Sequence, residues 1–152
     1  MAAARTLFRA GARGLQGLRK LLWRFTGRPP GAHALPLTSE GRVVMVKLTY
    51  ARDWRLPGGG RKRSEQPAEA ALRELAEEIG MTGHGAVEEV TGEAEWARAG
   101  EARGHVFIVR DVRYRPKPGW EVAAVAEFDP EALPPDVSPR WRAAIARLAA
   151  KP

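Results

Sequence analysis

The order of patterns along the chain predicts an α/β protein built from layered strands and helices. Alternating apolar segments, which indicate strands, stand before and after one central amphipathic segment, which indicates a helix. A second helical segment follows near the end of the chain, beginning at Ser138 and Pro139. This order favours helices packed on a sheet over an all-helical bundle. The strands are predicted near residues 33–38, 42–48, 87–96 and 104–112.

The central helix is predicted to run from Pro67 to the residue before Gly80. Proline suits the first position of a helix, and glycine suits the position just past its end. At about 100° per residue, apolar side chains gather on one side of this helix and glutamates gather on the other. The apolar side chains are Ala68, Ala71, Leu72, Leu75 and Ile79, and the acidic ones are Glu74, Glu77 and Glu78.

The acidic side of this helix predicts a cation site. Glu74 and Glu78 lie four residues apart, and like charges at that spacing destabilise a helix by about 0.2–0.5 kcal/mol. A face that is merely solvated would normally mix the two signs of charge. Hard divalent cations such as Mg²⁺ and Mn²⁺ prefer oxygen ligands, often carboxylates together with substrate phosphates. Each glutamate alone would indicate an exposed helix charge, whereas the group predicts ion binding.

A run of glycines and then of basic residues precedes the helix. Gly58, Gly59 and Gly60 remove side chains and let the backbone approach another backbone or a phosphate closely, although alone they would indicate only a flexible turn. The next three residues, Arg61-Lys62-Arg63, would attract polyanions, and the alternative for them is a solvated surface. The glycines, Arg61 and Lys62 are therefore candidate residues for binding substrate phosphates.

Together these residues resemble the signature of the Nudix hydrolases. Five residues separate Gly59 from Glu65, and seven more lead to the run Arg73-Glu74-Leu75-Ala76-Glu77-Glu78-Ile79-Gly80-Met81, which fills every fixed position of the signature. The Leu-Pro-Gly-Gly-Gly lead-in is similar to that of the family as well. The resemblance covers about residues 32–150 and implies the Nudix fold, a mixed β-sheet sandwiched between helices (α/β/α).

The resemblance implies a metal-dependent hydrolase that cleaves the pyrophosphate bond of a nucleoside diphosphate linked to another group X. Mg²⁺ or Mn²⁺ held by Glu74, Glu77 and Glu78 would neutralise phosphate oxygens and activate a water for in-line attack. Arg73 would reach back to Glu65 and fix the loop. Its spacing of four residues from Glu77 indicates an intrahelical ion pair instead, and both alternatives stay open.

Glu121 is the best candidate for a further acidic group. Nudix enzymes often draw such a residue from a downstream loop, as a metal ligand or as a base, and a surface charge at the start of a strand is the alternative. Many relatives carry a second acid three residues later, where this chain has Ala124. Glu93 and Glu95 are weaker candidates, and the identity of the general base among the glutamates stays open.

The substrate is selected by loops outside the signature, and no subfamily pattern is present. The downstream proline of many ADP-ribose hydrolases, for example, is replaced by Trp96-Ala97. Two alternative functions stay open beside the hydrolysis of small nucleotides. RNA 5′-end pyrophosphate removal could gain from the basic residues through phosphate attraction, but it is not favoured, because two tyrosines and four phenylalanines offer no aromatic-rich RNA surface. A catalytically silent regulatory module that binds nucleotides is disfavoured by the intact set of glutamates.

Residues 1–31 form a basic extension and linker ahead of the predicted domain at 32–152. Residues 1–39 contain seven basic side chains and no acid, whereas residues 40–152 hold eighteen of each. The extension predicts a basic amphipathic helix, followed by a Pro-Pro-Gly linker. Packing on the domain, contact with an anionic membrane surface through residues 1–28, and organelle targeting are its alternative roles. One helical arc carries Leu15, Leu18, Leu21, Leu22 and Phe25, and outside it lie Arg19, Lys20 and Arg24.

Composition excludes several other classes of site. The chain has no cysteine, which excludes disulfides, thiolate metal sites and a cysteine nucleophile. Its three histidines, at positions 33, 84 and 105, do not have the spacing of a zinc site. No apolar stretch is long enough to span a bilayer, and no cleavage site follows an apolar core, so a cytoplasmic location is expected, with peripheral membrane contact as the alternative. The oligomeric state is not predicted.

Overall fold

The computed structural model describes residues 31–91, 104–116 and 120–149. The predicted amphipathic helix of the extension lies outside these residues, as do Glu93 and Glu95. The described part contains nine strands and two helices. The strands are β1 (Gly31–Pro36), β2 (Val43–Leu48), β3 (Trp54–Arg55), β4 (Gly58–Gly60), β5 (Met81–Gly83), β6 (Val87–Thr91), β7 (Gly104–Val109), β8 (Arg113–Tyr114) and β9 (Val122–Phe128), and the helices are α1 (Pro67–Glu78) and α2 (Pro139–Ala149).

The strands form three sheets. The largest is mixed and has the order β4-β1-β7-β6, in which β1 runs parallel to β7 and antiparallel to β4. The second is antiparallel and has the order β3-β2-β9, and β5 pairs with β8 in a short third sheet. The parallel strands β1 and β7 are far apart in sequence. The elements between them include β4, which we call the glycine strand, α1 and β6.

Alternate residues of the central strands enter two separate core clusters, because successive side chains of a strand point to opposite faces. On β2, for example, Val44 and Val46 join the cluster under α1, whereas Val43 and Met45 join the cluster under α2. Helix α1 contributes Leu75 among others to the first cluster. The second cluster includes Trp141 and Ile145 of α2. Both faces of the sheets are thus covered by helices, which is the α/β/α sandwich that the sequence predicted.

The ends of α1 follow the predicted signals. The helix begins at Pro67, and the Glu69 carboxylate accepts a hydrogen bond of 3.0 Å from the backbone N–H of Gln66, the residue before the helix. It ends at Glu78, and Gly80 has a φ of 70°, in the left-handed region that favours glycine. The acidic side of α1 therefore begins and ends where the sequence analysis placed it.

Several short strands were not predicted. The glycine run forms β4 instead of a flexible turn, and Arg113–Tyr114 forms the two-residue strand β8. β3 and β5 were also missed. A strand of two or three residues is too short to show a period of two. Each of these forms because another strand supplies its backbone partners, the adjacent β2 for β3 and more distant segments for β4, β5 and β8. No helix in the described ranges has the length and apolar character needed to cross a membrane.

Candidate active site

The glycine strand forms one wall of the site because its neighbours occupy the space of side chains. β4 pairs with β1, and a Cβ atom on Gly58, whose φ is +150°, would lie 2.5 Å from the Ala32 carbonyl oxygen. A Cβ atom on Gly59 would lie 2.7 Å from Glu74 Oε1. Both distances are too short for real atoms. The glycines therefore let β1 on one side and the Glu74 carboxylate on the other approach the backbone of β4 closely.

Arg73 connects the loop, the glycine strand and the acidic face of α1. Its Nε donates to Glu65 Oε1 at 2.7 Å, and its Nη2 donates to Glu65 Oε2 at 3.1 Å and to the Gly60 carbonyl oxygen at 3.0 Å. The remaining nitrogen, Nη1, donates to Glu74 Oε1 at 2.7 Å and to Glu77 Oε2 at 3.3 Å. Both contacts left open by the sequence, to Glu65 and to Glu77, are thus present. One rigid guanidinium fork holds three carboxylates in place.

Glu65 closes the loop between the glycine strand and α1. Besides the two bonds from Arg73, its Oε2 accepts a hydrogen bond of 2.9 Å from the backbone N–H of Lys62. The Arg73 guanidinium beside Glu65 lowers the pKa of that carboxyl to about 2, and the Lys62 N–H acts in the same direction. Lys62 therefore contributes its backbone to the loop. The side chains of Lys62 and Arg63 are exposed beside it, and that of Arg61 is half-buried.

Glu78 is the one charged residue among those described that is buried, with 7% of its surface exposed. Its Oε2 accepts a hydrogen bond of 2.9 Å from the Gly58 N–H. Burial raises the pKa of Glu78 to about 8, and the negative charges of Glu74 and Glu121 raise it further, against the opposing effect of the Gly58 N–H. The sequence analysis treated the three glutamates of the helix alike. The structure distinguishes Glu78 from the other two by its burial.

The other two glutamates of the helix differ in exposure. Glu74 is largely buried against Gly59, and burial raises the pKa of its carboxyl, although Arg73 opposes that rise. Glu77 is mostly exposed and contacts Arg73 at the edge of the group. The charge of Glu121 also raises the pKa of Glu74. Glu74, Glu78 and Glu121 therefore form one electrostatic cluster, which we name the acidic cluster.

Glu121 reaches this cluster because the chain just after β2 holds it there. The Tyr50 hydroxyl donates to Glu121 Oε1 at 2.8 Å, and the Thr49 N–H donates to the Glu121 carbonyl oxygen at 2.8 Å. The Thr49 hydroxyl donates to the Trp120 carbonyl oxygen at 3.1 Å. Tyr50 was missed by the sequence analysis. No local motif marks it, because its partner lies 71 residues away in the chain.

Arg55 is a second residue near the acidic cluster that the sequence analysis missed. Burial raises the pKa values of Glu78 and Tyr50, and the positive charge of Arg55 opposes both rises, so Arg55 lies near both groups. Its Nη2 donates to Asp53 Oδ1 at 2.7 Å. No sequence signal marks it, because β3 has only two residues. In the structure Trp54 packs into the core cluster under α2, and Arg55 therefore lies on the opposite face of the strand.

The acidic cluster has the donor chemistry of a site for Mg²⁺ or Mn²⁺. Among the described residues, no three histidine, cysteine or acidic side chains already converge as ligands of one ion. The reason is visible in the contacts, because Arg73 holds Glu74 and Glu77 while Gly58 holds Glu78. Burial is the main cause of the raised pKa values of Glu74 and Glu78, and the neighbouring acids raise them further. A hard divalent cation would stabilise the ionised forms of these carboxyl groups once their side chains rotate.

Comparison of the sequence with curated proteins finds RNA pyrophosphohydrolases. The chain is 36% identical over 72 residues to that of Hahella chejuensis, a match that covers 47% of this chain and 44% of the relative. It is 34% identical over 87 residues to that of Bartonella clarridgeiae, covering 57% of this chain and 47% of the relative. The chain thus spans less than half the length of these curated relatives.

The fold is similar to those of solved structures and agrees with a family model. A UDP-X diphosphatase aligns with a TM-score of 0.61 and 20% identity, over 80% of this chain and 62% of that one. A MutT NUDIX hydrolase from Burkholderia pseudomallei aligns with a TM-score of 0.60 and 23% identity, over 79% of this chain and 97% of that one. At these identities the likeness shows the fold. Residues 27–148 match the model of the NUDIX domain, and the chain therefore belongs to the Nudix family.

Proposed function

We propose that this protein is a metal-dependent pyrophosphohydrolase that cleaves the pyrophosphate bond of a nucleoside diphosphate linked to another group X. The observation that carries the proposal is the buried Glu78 carboxylate, which lies with Glu74 and Glu121 beside the glycine strand β4. Burying a charge without a matching partner is costly. Binding a divalent cation would offset the cost of keeping these three acids together, and it therefore fits the arrangement.

The residues of the chain take distinct roles in this proposal. Glu74, Glu77 and Glu78 hold one or more divalent cations, Mg²⁺ or Mn²⁺. When bound, such a cation neutralises phosphate oxygens and lowers the pKa of water. Arg73 and Glu65 keep the glutamate helix and the glycine strand in register through their hydrogen bonds. A phosphate also finds backbone without side chains at β4, which permits close approach.

Proton removal from the attacking water is assigned to the acidic cluster. Glu78 and Glu121 both qualify as general bases, because a base must lie within hydrogen-bond reach of the water and both carboxylates face the same region. Tyr50 donates a hydrogen bond to Oε1 of Glu121 and so orients this carboxylate. Arg61 and Lys62 follow β4 directly and supply positive charge for the phosphates.

The test is a panel of nucleoside diphosphate derivatives assayed with Mg²⁺ and with Mn²⁺. We expect hydrolysis at the pyrophosphate bond, release of a nucleoside monophosphate, and no turnover when the metal is chelated. Turnover that persists at full rate in excess chelator would contradict the role of the cation. A panel without any hydrolysed member, combined with tight nucleotide binding, would favour the silent regulatory module instead.

RNA 5′-end pyrophosphate removal is the second candidate function. Two observations favour it: the curated relatives named above are RNA pyrophosphohydrolases, and the basic run Arg61-Lys62-Arg63 lies at the edge of the site. Triphosphorylated RNA should therefore be part of the panel. For an RNA substrate, added salt should raise KM steeply, because each phosphate contact releases counterions. A triple alanine variant at residues 61–63 should flatten that salt dependence, and an unchanged salt slope would remove this candidate.

A further inference from the structure

His33 of β1 lies on the side of the sheet that α2 covers, away from the glutamate helix. Its neighbours in the strand, Ala32 and Ala34, belong to the core cluster under α1. Successive side chains of a strand point to opposite faces, so the ring of His33 points toward α2. There its centroid lies 4.9 Å from that of the buried Trp141 ring, with the two planes tilted by 59°. The imidazole therefore packs between the sheet and α2.

The same imidazole touches the backbone of the glycine strand. His33 is the residue of β1 that pairs with Gly58. A Cβ atom on Gly58 would collide with His33 Nδ1, and it would lie 2.6 Å from the Cα of His33. Because a Cβ is bonded directly to its Cα, the ring lies against the Gly58 Cα, with no side chain between them. His33 thus contacts the first glycine of β4 from the α2 side.

The peptide group between Pro57 and Gly58 connects β1 to the buried carboxyl group of Glu78. Its carbonyl oxygen accepts a hydrogen bond of 3.0 Å from the Ala34 N–H, and its N–H donates to Glu78 Oε2 at 2.9 Å. A peptide group is planar, so the two bonds do not vary independently. Burial raises the pKa of Glu78 to about 8, and the Gly58 N–H is the strongest effect that opposes this rise. The direction of this N–H therefore matters for the acidic cluster.

Glycine does not fix the direction of that N–H by itself. Without a Cβ it adopts positive and negative φ about equally readily, and two more glycines follow Gly58. Gly58 itself has a φ of 150°. A backbone this free keeps one conformation only when its neighbours restrain it. The imidazole of His33 is placed to do so, because it fills the space into which the Gly58 Cα would otherwise move.

We propose that His33 is a positioning residue for Glu78, an inference that rests on the proposed function. The ring holds the Gly58 Cα from the α2 side, and the Gly58 N–H then keeps the Glu78 carboxyl group where a divalent cation would bind. His33 acts through Gly58 and does not contact substrate. Groups that orient a metal ligand in this indirect way typically contribute about 10- to 100-fold in metal affinity.

The first test is the affinity for Mn²⁺, measured by calorimetry on folded variants. His33→Ala removes the ring and should weaken Mn²⁺ binding about 10- to 100-fold. His33→Phe keeps a flat ring beside Trp141 and should retain most of the affinity. Ile145→Ala truncates a side chain of the core cluster that contains Trp141, and it should lower stability without weakening Mn²⁺ binding. If His33→Ala does not fold, His33→Val carries the same expectation, because its side chain is also shorter than the ring.

The second test depends neither on metal nor on turnover. Amide hydrogen exchange in the metal-free protein reports how firmly each N–H is held. His33→Ala should speed exchange at Gly58 more than at Leu37, whose N–H donates to the Val109 carbonyl oxygen at 2.8 Å farther along the sheet. Ile145→Ala should not speed exchange at Gly58 selectively. Equal acceleration at Gly58 and Leu37 in His33→Ala would mean a general loss of stability and would overturn the positioning role.

The results also separate this inference from the proposed function. Unchanged Mn²⁺ affinity in folded His33→Ala, or an equal loss in Ile145→Ala, would overturn the positioning role. The same loss in His33→Phe as in His33→Ala would overturn it too, since the ring is the proposed contact. A parent protein that binds no Mn²⁺ would reject the proposed function. Faster exchange confined to Gly58 in His33→Ala would then still support the hold of His33 on the glycine strand.

Discussion

Helices α1 and α2 cover opposite faces of the same sheets, yet they use their charged residues differently. On α1, Arg73 reaches the loop and the glycine strand, and the carboxyl group of Glu78 is buried beside Gly58. On α2, Arg142 donates to the carbonyl oxygens of Leu133 and Pro134, at 3.4 and 2.6 Å, and so fastens the preceding turn. The difference agrees with the proposal that the charged residues of α1 serve a ligand, whereas Arg142 of α2 serves the fold.

The largest expected effect follows from replacing the buried carboxyl group of α1. Glu78→Gln should lower kcat about 10²- to 10⁴-fold on the best substrate of the panel, because a metal ligand or base is lost while the side chain keeps its size. Thermal unfolding should show a folded protein, since the amide oxygen still accepts the Gly58 N–H. Glu88→Gln, an exposed acid on β6, makes the same change of charge and should leave kcat unaltered. Normal turnover by Glu78→Gln would show that the acids of α1 do no chemistry.

On the α2 face, truncation of a buried core side chain should affect stability alone. Ile145→Ala removes a fully buried side chain from the core cluster under α2 and should lower the free energy of unfolding by about 2–5 kcal/mol. Urea unfolding measures that loss. Manganese affinity and kcat, measured where the variant is folded, should match those of the parent protein. A weakened metal site in folded Ile145→Ala would mean that the two faces are coupled.

Gly59→Ala tests the close approach of the glycine strand to α1. The new Cβ would lie 2.7 Å from Glu74 Oε1, so the carboxylate must move. A displacement of that kind is expected to lower kcat/KM about 10²-fold with a small change in stability, because the moving group is the end of a flexible side chain. Gly31→Ala is the matched control across the strand pair, since its Cβ would meet nothing closer than 3.5 Å. Similar kinetics for the two variants would remove the argument for Gly59.

Tyr50→Phe removes one hydroxyl, the one that holds Glu121. We expect kcat to fall about 10-fold and manganese affinity to weaken, with KM for the nucleotide changed less, because the hydroxyl orients the carboxylate and is not expected to contact substrate. Tyr114→Phe is a matched control. Its hydroxyl donates to Glu127 Oε1 at 2.9 Å, in the same kind of pair but outside the acidic cluster. Equal losses in both variants would indicate a general effect on the fold.

The smallest effect concerns acid stability through Glu65. The pKa of this carboxyl falls from 4.5 to about 2 in the folded protein, because Arg73 stabilises the charged form. The pair therefore stabilises the fold fully above about pH 4.5 and loses that contribution as the pH falls towards 2. The difference in melting temperature between the parent and Glu65→Gln should shrink across that interval. A difference that is constant with pH would contradict the lowered pKa.

Local patterns predicted α1 and its acidic side well, because proline, glycine and the period of apolar residues all lie within the helix itself. The same holds for the main strands β1, β2 and β7, whose lengths suffice to show a pattern. Features that depend on distant partners were missed. The glycine run becomes a strand because β1 lies beside it, and Tyr50 joins the site because residue 121 folds back onto it. Neither partner is near in sequence, so neither contact leaves a local signal.

Because of Arg73, the glutamate helix is expected to fold without the proposed metal. One guanidinium already compensates Glu65, Glu74 and Glu77, so much of their mutual repulsion is relieved in the protein alone. Many small metal proteins fold only around their ion. Here the guanidinium of Arg73 already lies among the carboxylates, and the proposed dication would compete with it. Under the proposed function, metal binding and folding would be separate events, and the protein would stay folded but inactive without magnesium or manganese.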